Sequence, residues 1–361
     1  MSFERPNIAR MTGYTSGEQP DDDKTIKLNT NENPYPPAPE VSQVLANIDT
    51  SALRRYPPPT ANRFRDLAAN VHGVRRDNII ATRGGDELLR LLLTTFTDPG
   101  ELIFSTSPTY SLYPVLAAIQ DCRFVCEDLD EDWQLPADFC DQANSLGAKL
   151  TLVVNPHAPS GQLISRDTIA AMAAKLEGLL LIDEAYIDFV APDHRHHCLD
   201  LIEDHDNLIF LRTLSKGYSL AGLRFGYGIG AESLIQPMLT KTRDSYNLDL
   251  ISQRLAEAAI QAQDYAQSTW EKVRSERQRV HGLLWEMGFT APPSETNFLL
   301  ARVPQSSALS AAELYEALKA RGILIRYFGE PRLSNSLRIT IGTPAENDAL
   351  IDALRLLTGA N

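Results

Sequence analysis

The 361 residues, 43% of them hydrophobic, can bury a large core and point to about two domains rather than one small module. The 34 Lys and Arg against 47 Asp and Glu leave a formal net charge of -13, which disfavours nonspecific binding to nucleic acid or anionic membranes. Cys122, Cys126, Cys140 and Cys198 lack CxxC spacing and read as reduced thiols, and no apolar run has signal-peptide or membrane-spanning length, so a cytoplasmic protein is expected.

Residues 1–40 are rich in Pro, Asn and Asp, have no sustained period and read as an extended arm. The prolines of RRYPPPT (54–60) exclude helix and set Tyr56 on a rigid turn. Short apolar runs then alternate with helix-like segments: 78–81 before 86–96, 102–104 before 110–119, 150–154 before 166–176, followed by runs at 179–182, 208–211 and 225–229. That alternation predicts an α/β fold over residues 41–245, a mostly parallel sheet between helices, with ligands beyond the C-terminal ends of the strands. After residue 245 the texture changes to a long polar helix at 253–287. A strand at 297–302, a helix at 311–321, strands at 323–327 and 336–341 and a closing helix at 345–357 make a smaller α/β domain, 246–361.

The run 208–211 ends in Thr213, Ser215 and Lys216, and Arg224 follows. Hydroxyls beside cations suit an anionic, carbonyl-bearing cofactor, because a desolvated lysine amine makes Schiff bases. Taken alone, Lys216 also reads as a solvated loop lysine. Gly84, Gly85 and Asp86 open the helix at 86–96, where unpaired N–H groups and the helix dipole make an anion seat; a plain N-capped turn is the alternative. Asp183 ends an apolar run. A magnesium site of the Walker-B kind would need a GxxxxGK[ST] loop, which the chain lacks, so a partner cation such as a pyridinium nitrogen is the better reason for it. Tyr186 could then reach a phenolic oxygen of the same ring, and Tyr110 could stack on its face. Gly226 to Ala231 fits GxGxxA but comes late in the chain and reads as a tightly packed strand. His194, His196, His197 and Cys198 lack ligand spacing, and no metal is expected.

These motifs together resemble the histidinol-phosphate aminotransferase family, among the fold-type-I pyridoxal-phosphate enzymes. The resemblance is carried by Asn31 to Pro34, Arg55 to Pro57, Gly84 to Glu87, Pro108 to Tyr110, Asn155-Pro156 with Pro159 to Gly161, Asp183 to Tyr186, Leu208 to Tyr227, Thr296 to Phe298 and Leu337 to Gly342, in family order. It implies pyridoxal 5'-phosphate as cofactor, with Lys216 as Schiff-base lysine and proton shuttle, Asp183 on the pyridine nitrogen, Tyr186 on the ring hydroxyl and Tyr110 stacked. It implies a phosphate held by Gly84, Gly85, Asp86, Thr213, Ser215 and Arg224, with Tyr56 reaching in from a second subunit of a homodimer. Tyr14, Asn31, Asn297, Arg326 and Arg338 become candidate substrate contacts. The family's usual Asn before the Pro of its PTG motif is Ala158 here, and His157 is the candidate substitute, directly or through water. Gly85 stands where Ser or Ala is usual. The implied activity is transamination between histidinol phosphate and 2-oxoglutarate in histidine biosynthesis, with aromatic amino-acid aminotransferase and threonine-phosphate decarboxylase on the same framework. Nucleotide binding is the alternative from another class.

Overall fold

The computed structural model describes residues 3–22 and 24–359. In chain order its strands are β1 (Ile26–Lys27), β2 (Ile79–Thr82), β3 (Leu102–Ser107), β4 (Arg123–Asp128), β5 (Ala148–Val154) and β6 (Leu179–Asp183), then β7 (Leu208–Thr213), β8 (Gly226–Gly230), β9 (Phe298–Arg302), β10 (Ile323–Leu324), β11 (Arg326–Tyr327) and β12 (Ser336–Thr340). Seven of them form a sheet in the order β2-β8-β7-β6-β5-β3-β4. Strands β4, β3, β5, β6 and β7 are mutually parallel, and β8 alone is reversed, pairing antiparallel with both β7 and β2. The unbroken apolar runs follow from cover on both faces. Leu180, Ile182, Leu208 and Phe210 enter one core, while Leu181, Ile209 and Leu211 enter the other.

The strand Arg123–Asp128 and the helix Phe139–Ser145 were not expected. The strand lies at the sheet edge with none of its side chains fully buried, so its charged sequence carries no core signature. The single helix expected at 253–287 is two, Leu250–Gln261 and Gln263–Glu286, because Ala262 leaves helical geometry (ψ 51°). Gln263 compensates, its side-chain amide donating to the freed carbonyl of Ile260 at 2.7 Å and to Tyr218 at 2.9 Å. Leu255, Ala256, Ala259 and Ile260 of the first helix join the core of the large sheet, which therefore extends past residue 245.

A three-stranded antiparallel sheet, β11-β12-β9, carries the second body, packed by Gln263–Glu286, Ala311–Lys319 and Pro344–Thr358 around Leu299, Leu314, Leu337, Ile339 and Leu350. Ser310 with Glu313 and Thr343 with Glu346 form capping boxes that start the last two helices. The strand expected at 323–327 splits, because its first half, β10, pairs in parallel with β1 of the arm while β11 pairs with β12. The arm is thereby stitched to the smaller body.

The glycines of GYGIG serve close backbone packing. A Cβ on Gly226 would lie 2.7 Å from the carbonyl carbon of Gly84, 2.8 Å from the nitrogen of Gly85 and 3.1 Å from the Arg212 carbonyl oxygen. Main chain cannot give way as a flexible side chain can. Gly226→Ala is expected to lose about 1–3 kcal/mol in denaturant unfolding through overpacking. Gly282→Ala, in open space on a helix, is expected to gain up to about 1 kcal/mol.

Candidate active site

Six of the seven strands run the same way, so their C-terminal ends share an edge with the start of the reversed β8. The segments that leave this edge bring Gly85, Asp86, Tyr110, Ala158, Asp183 and Tyr186 to one cleft of about 330 Å³, together with Thr213, Ser215, Lys216 and Arg224. Tyr14 and Asn31 from the arm, and Arg326 and Arg338 from the smaller sheet, close its other side.

At one end, the 12-residue helix Gly85–Phe96 begins behind Gly84, whose φ of 78° favours glycine. A Cβ on Gly84 would lie 2.8 Å from Nη2 of Arg224, so the absent side chain is what lets the guanidinium approach. Arg224 donates to Ser215 Oγ at 3.3 Å and to Asp86 Oδ2 at 3.2 Å, and Thr213 donates to Ser215 Oγ at 2.9 Å. Main-chain N–H groups at a helix start, hydroxyls and a guanidinium around one point are the donor set of a phosphate ester.

At the floor, Asp183 is buried at the end of β6. Its Oδ2 accepts the hydroxyl of Tyr113 at 2.9 Å and its Oδ1 the N–H of Ala185 at 3.1 Å. Burial pushes its carboxyl up to about 6 against those hydrogen bonds. Tyr110 forms a wall, its hydroxyl 3.4 Å from Asp86 Oδ1, and burial raises its phenol far above the usual range. The hydroxyl of Tyr186 accepts from the Asn31 amide at 3.0 Å. Lys216 is the one lysine among the described residues lining the cleft. Its amine donates to the Thr30 carbonyl at 2.8 Å, and burial, helped by the charge of Arg338, lowers it to about 8.

Arg338 is half-buried, with Nη2 donating to the Asn29 carbonyl at 3.0 Å and a buried Nε without a partner. A half-buried guanidinium in the lining of a cleft, with hydrogen-bonding capacity left over, is a seat for an anion. Its charge is shared with the ring of Phe328, 5.3 Å away, over which Arg326 also lies.

Two expected residues, His157 and Asn297, are placed otherwise, and Tyr56 lies outside the cleft of its own chain, where a residue that acts on a second subunit would lie. His157 turns away from the cleft: Nδ1 meets Ser160 Oγ at 2.7 Å and Nε2 meets the Pro108 carbonyl at 2.9 Å, which uses both ring nitrogens. It lines a small void with Trp133 instead and cannot replace the contact missing at Ala158, which does face the cleft. Asn297 is buried and donates to the carbonyls of Asn31 (2.9 Å) and Glu32 (3.4 Å), so it holds the arm and does not line the cleft. Tyr56 is 80% exposed and stacked on Tyr246 at 4.4 Å, outside the cleft of its own chain.

Of the histidine cluster, His196 comes together with Cys198 and Glu184, but Arg212 already pairs with Glu184 at 2.6 Å, and the Asn155 amide and the Cys198 thiol both face His196 Nε2. Sequence reading missed Tyr113. Its spacing of three residues from Tyr110, on one face of a helix start, was the available signal.

Residues 23–354 match the family described as aminotransferase class I and II. The chain is 42% identical over 358 residues to the histidinol-phosphate aminotransferase of Microcystis aeruginosa, covering 99% of both. It is 41% identical over 359 residues to that of Synechocystis sp., covering 99% of this chain and 98% of the relative. The crystal structure of histidinol-phosphate aminotransferase from Sinorhizobium meliloti in complex with pyridoxal-5'-phosphate superposes with a TM-score of 0.90 at 25% identity, over 99% of this chain and 98% of that one. The chain belongs to the class I and II aminotransferases and, within them, to the histidinol-phosphate aminotransferase family.

Proposed function

We propose that this protein is a pyridoxal-phosphate-dependent transaminase that exchanges the amino group of histidinol phosphate with 2-oxoglutarate, glutamate being the amino donor in histidine biosynthesis. The observation that carries this is a half-buried, cleft-lining lysine amine held in one cavity with a buried carboxylate and a phosphate-type donor set, in a chain of that family. The cradle fits the cofactor: Gly84, Gly85, Asp86, Thr213, Ser215 and Arg224 would hold its phosphate, Asp183 its pyridine nitrogen, Tyr186 its ring hydroxyl and Tyr110 its face. Bound pyridoxal phosphate supplies a carbonyl carbon that takes up amines and a protonated ring that withdraws electrons from them.

The chain's own groups then divide the work. Lys216 would hold the cofactor covalently and, once freed, would move a proton at the substrate α-carbon. Asp183 would keep the ring nitrogen protonated by supplying a fixed negative charge from a dry site. Arg338 and Arg326 receive the glutamate carboxylate or the substrate phosphate, because a guanidinium pairs bidentately with either. Tyr14 and Asn31 close over the substrate from the arm. The exposed stack of Tyr56 on Tyr246 supports a homodimer in which Tyr56 reaches the partner's cofactor phosphate. Among the described residues no helix is long and apolar enough to cross a membrane, and a cytoplasmic location accords with a biosynthetic role.

Half-reaction spectroscopy with a panel of amines tests this reading. The bound cofactor's absorbance should change fastest with histidinol phosphate and glutamate. Faster conversion by phenylalanine or tyrosine would make it an aromatic aminotransferase, and carbon dioxide release from threonine phosphate would make it a decarboxylase.

The lysine adds a pH signature. Only the neutral amine attacks a carbonyl, and Lys216 is lowered from 10.5 to about 8. Association of pyridoxal phosphate with the cofactor-free protein should therefore accelerate with pH through a midpoint near 8, measured by stopped-flow absorbance, instead of rising steadily toward 10.5.

A further inference from the structure

Tyr113 does not line the cleft, yet it touches the group on which the proposed chemistry turns. It sits in the first turn of the helix Leu112–Ile119, 1% exposed, in the apolar cluster that includes Leu116, Leu152 and Leu181. Its hydroxyl donates to Asp183 Oδ2 at 2.9 Å, and the Ala185 N–H occupies Oδ1. A carboxylate with a single donor can swing about its side-chain bond. Two donors, one on each oxygen, fix its plane and so the direction in which its remaining lone pairs point. The ring of Tyr113 also meets that of Tyr110 edge to face, centroids 5.6 Å apart at 81°, and the Tyr113 N–H donates to the Tyr110 carbonyl at 3.0 Å.

We propose that Tyr113 is a positioning residue for the cofactor. One turn of chain sets both the aromatic wall against which the pyridine ring lies, through Tyr110, and the orientation of the carboxylate that meets its nitrogen, through the Tyr113 hydroxyl. This rests on the cofactor reading given above. The plainer view, that Asp183 merely satisfies a buried phenol, predicts a different outcome on removing the hydroxyl. Stability would fall, but nothing belonging to the cofactor would change.

Removing the hydroxyl takes away the largest influence that opposes burial at Asp183. The other groups facing it are Asp86, whose charge raises it, and Glu184 and Tyr186, which it raises in turn. None of these replaces the lost donor. The carboxyl therefore stays protonated to higher pH, and the acid limb of any property that needs the carboxylate moves up.

The experiment compares the holoenzyme with Tyr113→Phe, which keeps the ring and its volume, with Leu116→Ala as a packing control and with Asp183→Asn. Cofactor absorbance is followed from acid to alkaline pH, reconstitution by pyridoxal phosphate gives the half-saturation, and steady-state kinetics separate kcat from KM. Tyr113→Phe should shift the acid limb upward by about one pH unit and weaken half-saturation roughly tenfold, and kcat should fall roughly tenfold with KM within about twofold, as loss of a hydrogen bond to a charged group predicts. Leu116→Ala should lower Tm without moving the acid limb. If Tyr113→Phe loses only Tm and keeps the wild-type pH profile and half-saturation while Asp183→Asn loses both, this inference falls and the reading of Asp183 stands. If Asp183→Asn itself leaves the cofactor's affinity and spectrum intact, that reading falls and takes this inference with it.

Discussion

Lys216→Ala is expected to lower kcat by about a thousandfold or more, since it removes the group proposed as both covalent anchor and proton carrier. No other lysine is placed to substitute among the described residues. Lys27, the neighbour whose charge Lys216 feels, is drawn to Glu32 and Thr30. Borohydride should fix the cofactor to the wild-type chain and leave the variant's cofactor removable by gel filtration. Residual activity above about a hundredth of wild type, or continued fixation by borohydride, would show that another amine does the work. The variant should still fold, because among the described residues the lysine's hydrogen-bond partner is a main-chain carbonyl, that of Thr30.

Asp183→Asn should divide activity and stability in opposite directions. Replacing the charged group proposed to keep the ring nitrogen protonated with a neutral amide of the same shape is expected to lower kcat by about 10²–10³. In the cofactor-free protein the same change removes a buried charge. The carboxyl rises from 3.8 to about 6 on folding, so the folded chain holds the proton more tightly than the unfolded one. Stability therefore falls as pH rises from about 4 to about 6 and stays at the lower level above that. The neutral variant escapes this, and at pH 7 its cofactor-free form should be more stable by on the order of 1 kcal/mol, part of the gain being offset where the Tyr113 hydroxyl loses its carboxylate acceptor. Denaturant unfolding of both cofactor-free proteins decides the sign. A less stable variant would mean that the carboxylate is better solvated than its surroundings indicate.

The readable parts of the site were those whose chemistry restricts residue type at a strand end. Lysine and aspartate are poor tenants of a buried edge, so Lys216 and Asp183 stood out once the strands before them were recognised. The glycines at 84 and 85 stood out because a helix start needs no side chain there. What could not be read was side-chain direction. Residues 157 and 158 are neighbours, yet Ala158 faces the cleft while His157 turns back to Ser160 and Pro108. Asn297 has the right chemistry for a substrate contact but spends its amide on the arm. Tyr113, within SLYPVL, looked like ordinary core, and most of it is; only its oxygen departs from that role. In the fold, the edge strand Arg123–Asp128 and the helix break at Ala262 escaped for the same kind of reason. An edge lacks a burial pattern, and no Gly or Pro marks the break.

The pairing of β1 with β10 gives the molecule two hands that can be changed separately. Residues expected to meet the substrate (Tyr14, Asn31, Arg326 and Arg338) belong to the arm and to the small sheet, and the arm is hydrogen-bonded into that body through β1 and through Asn297. Within one chain, the residues proposed to hold the cofactor lie on the large-sheet body. Variation in the arm and in the loops of the small sheet can therefore explore new amines while the cofactor seat is inherited unchanged. A laboratory search for altered specificity would do well to confine its library there.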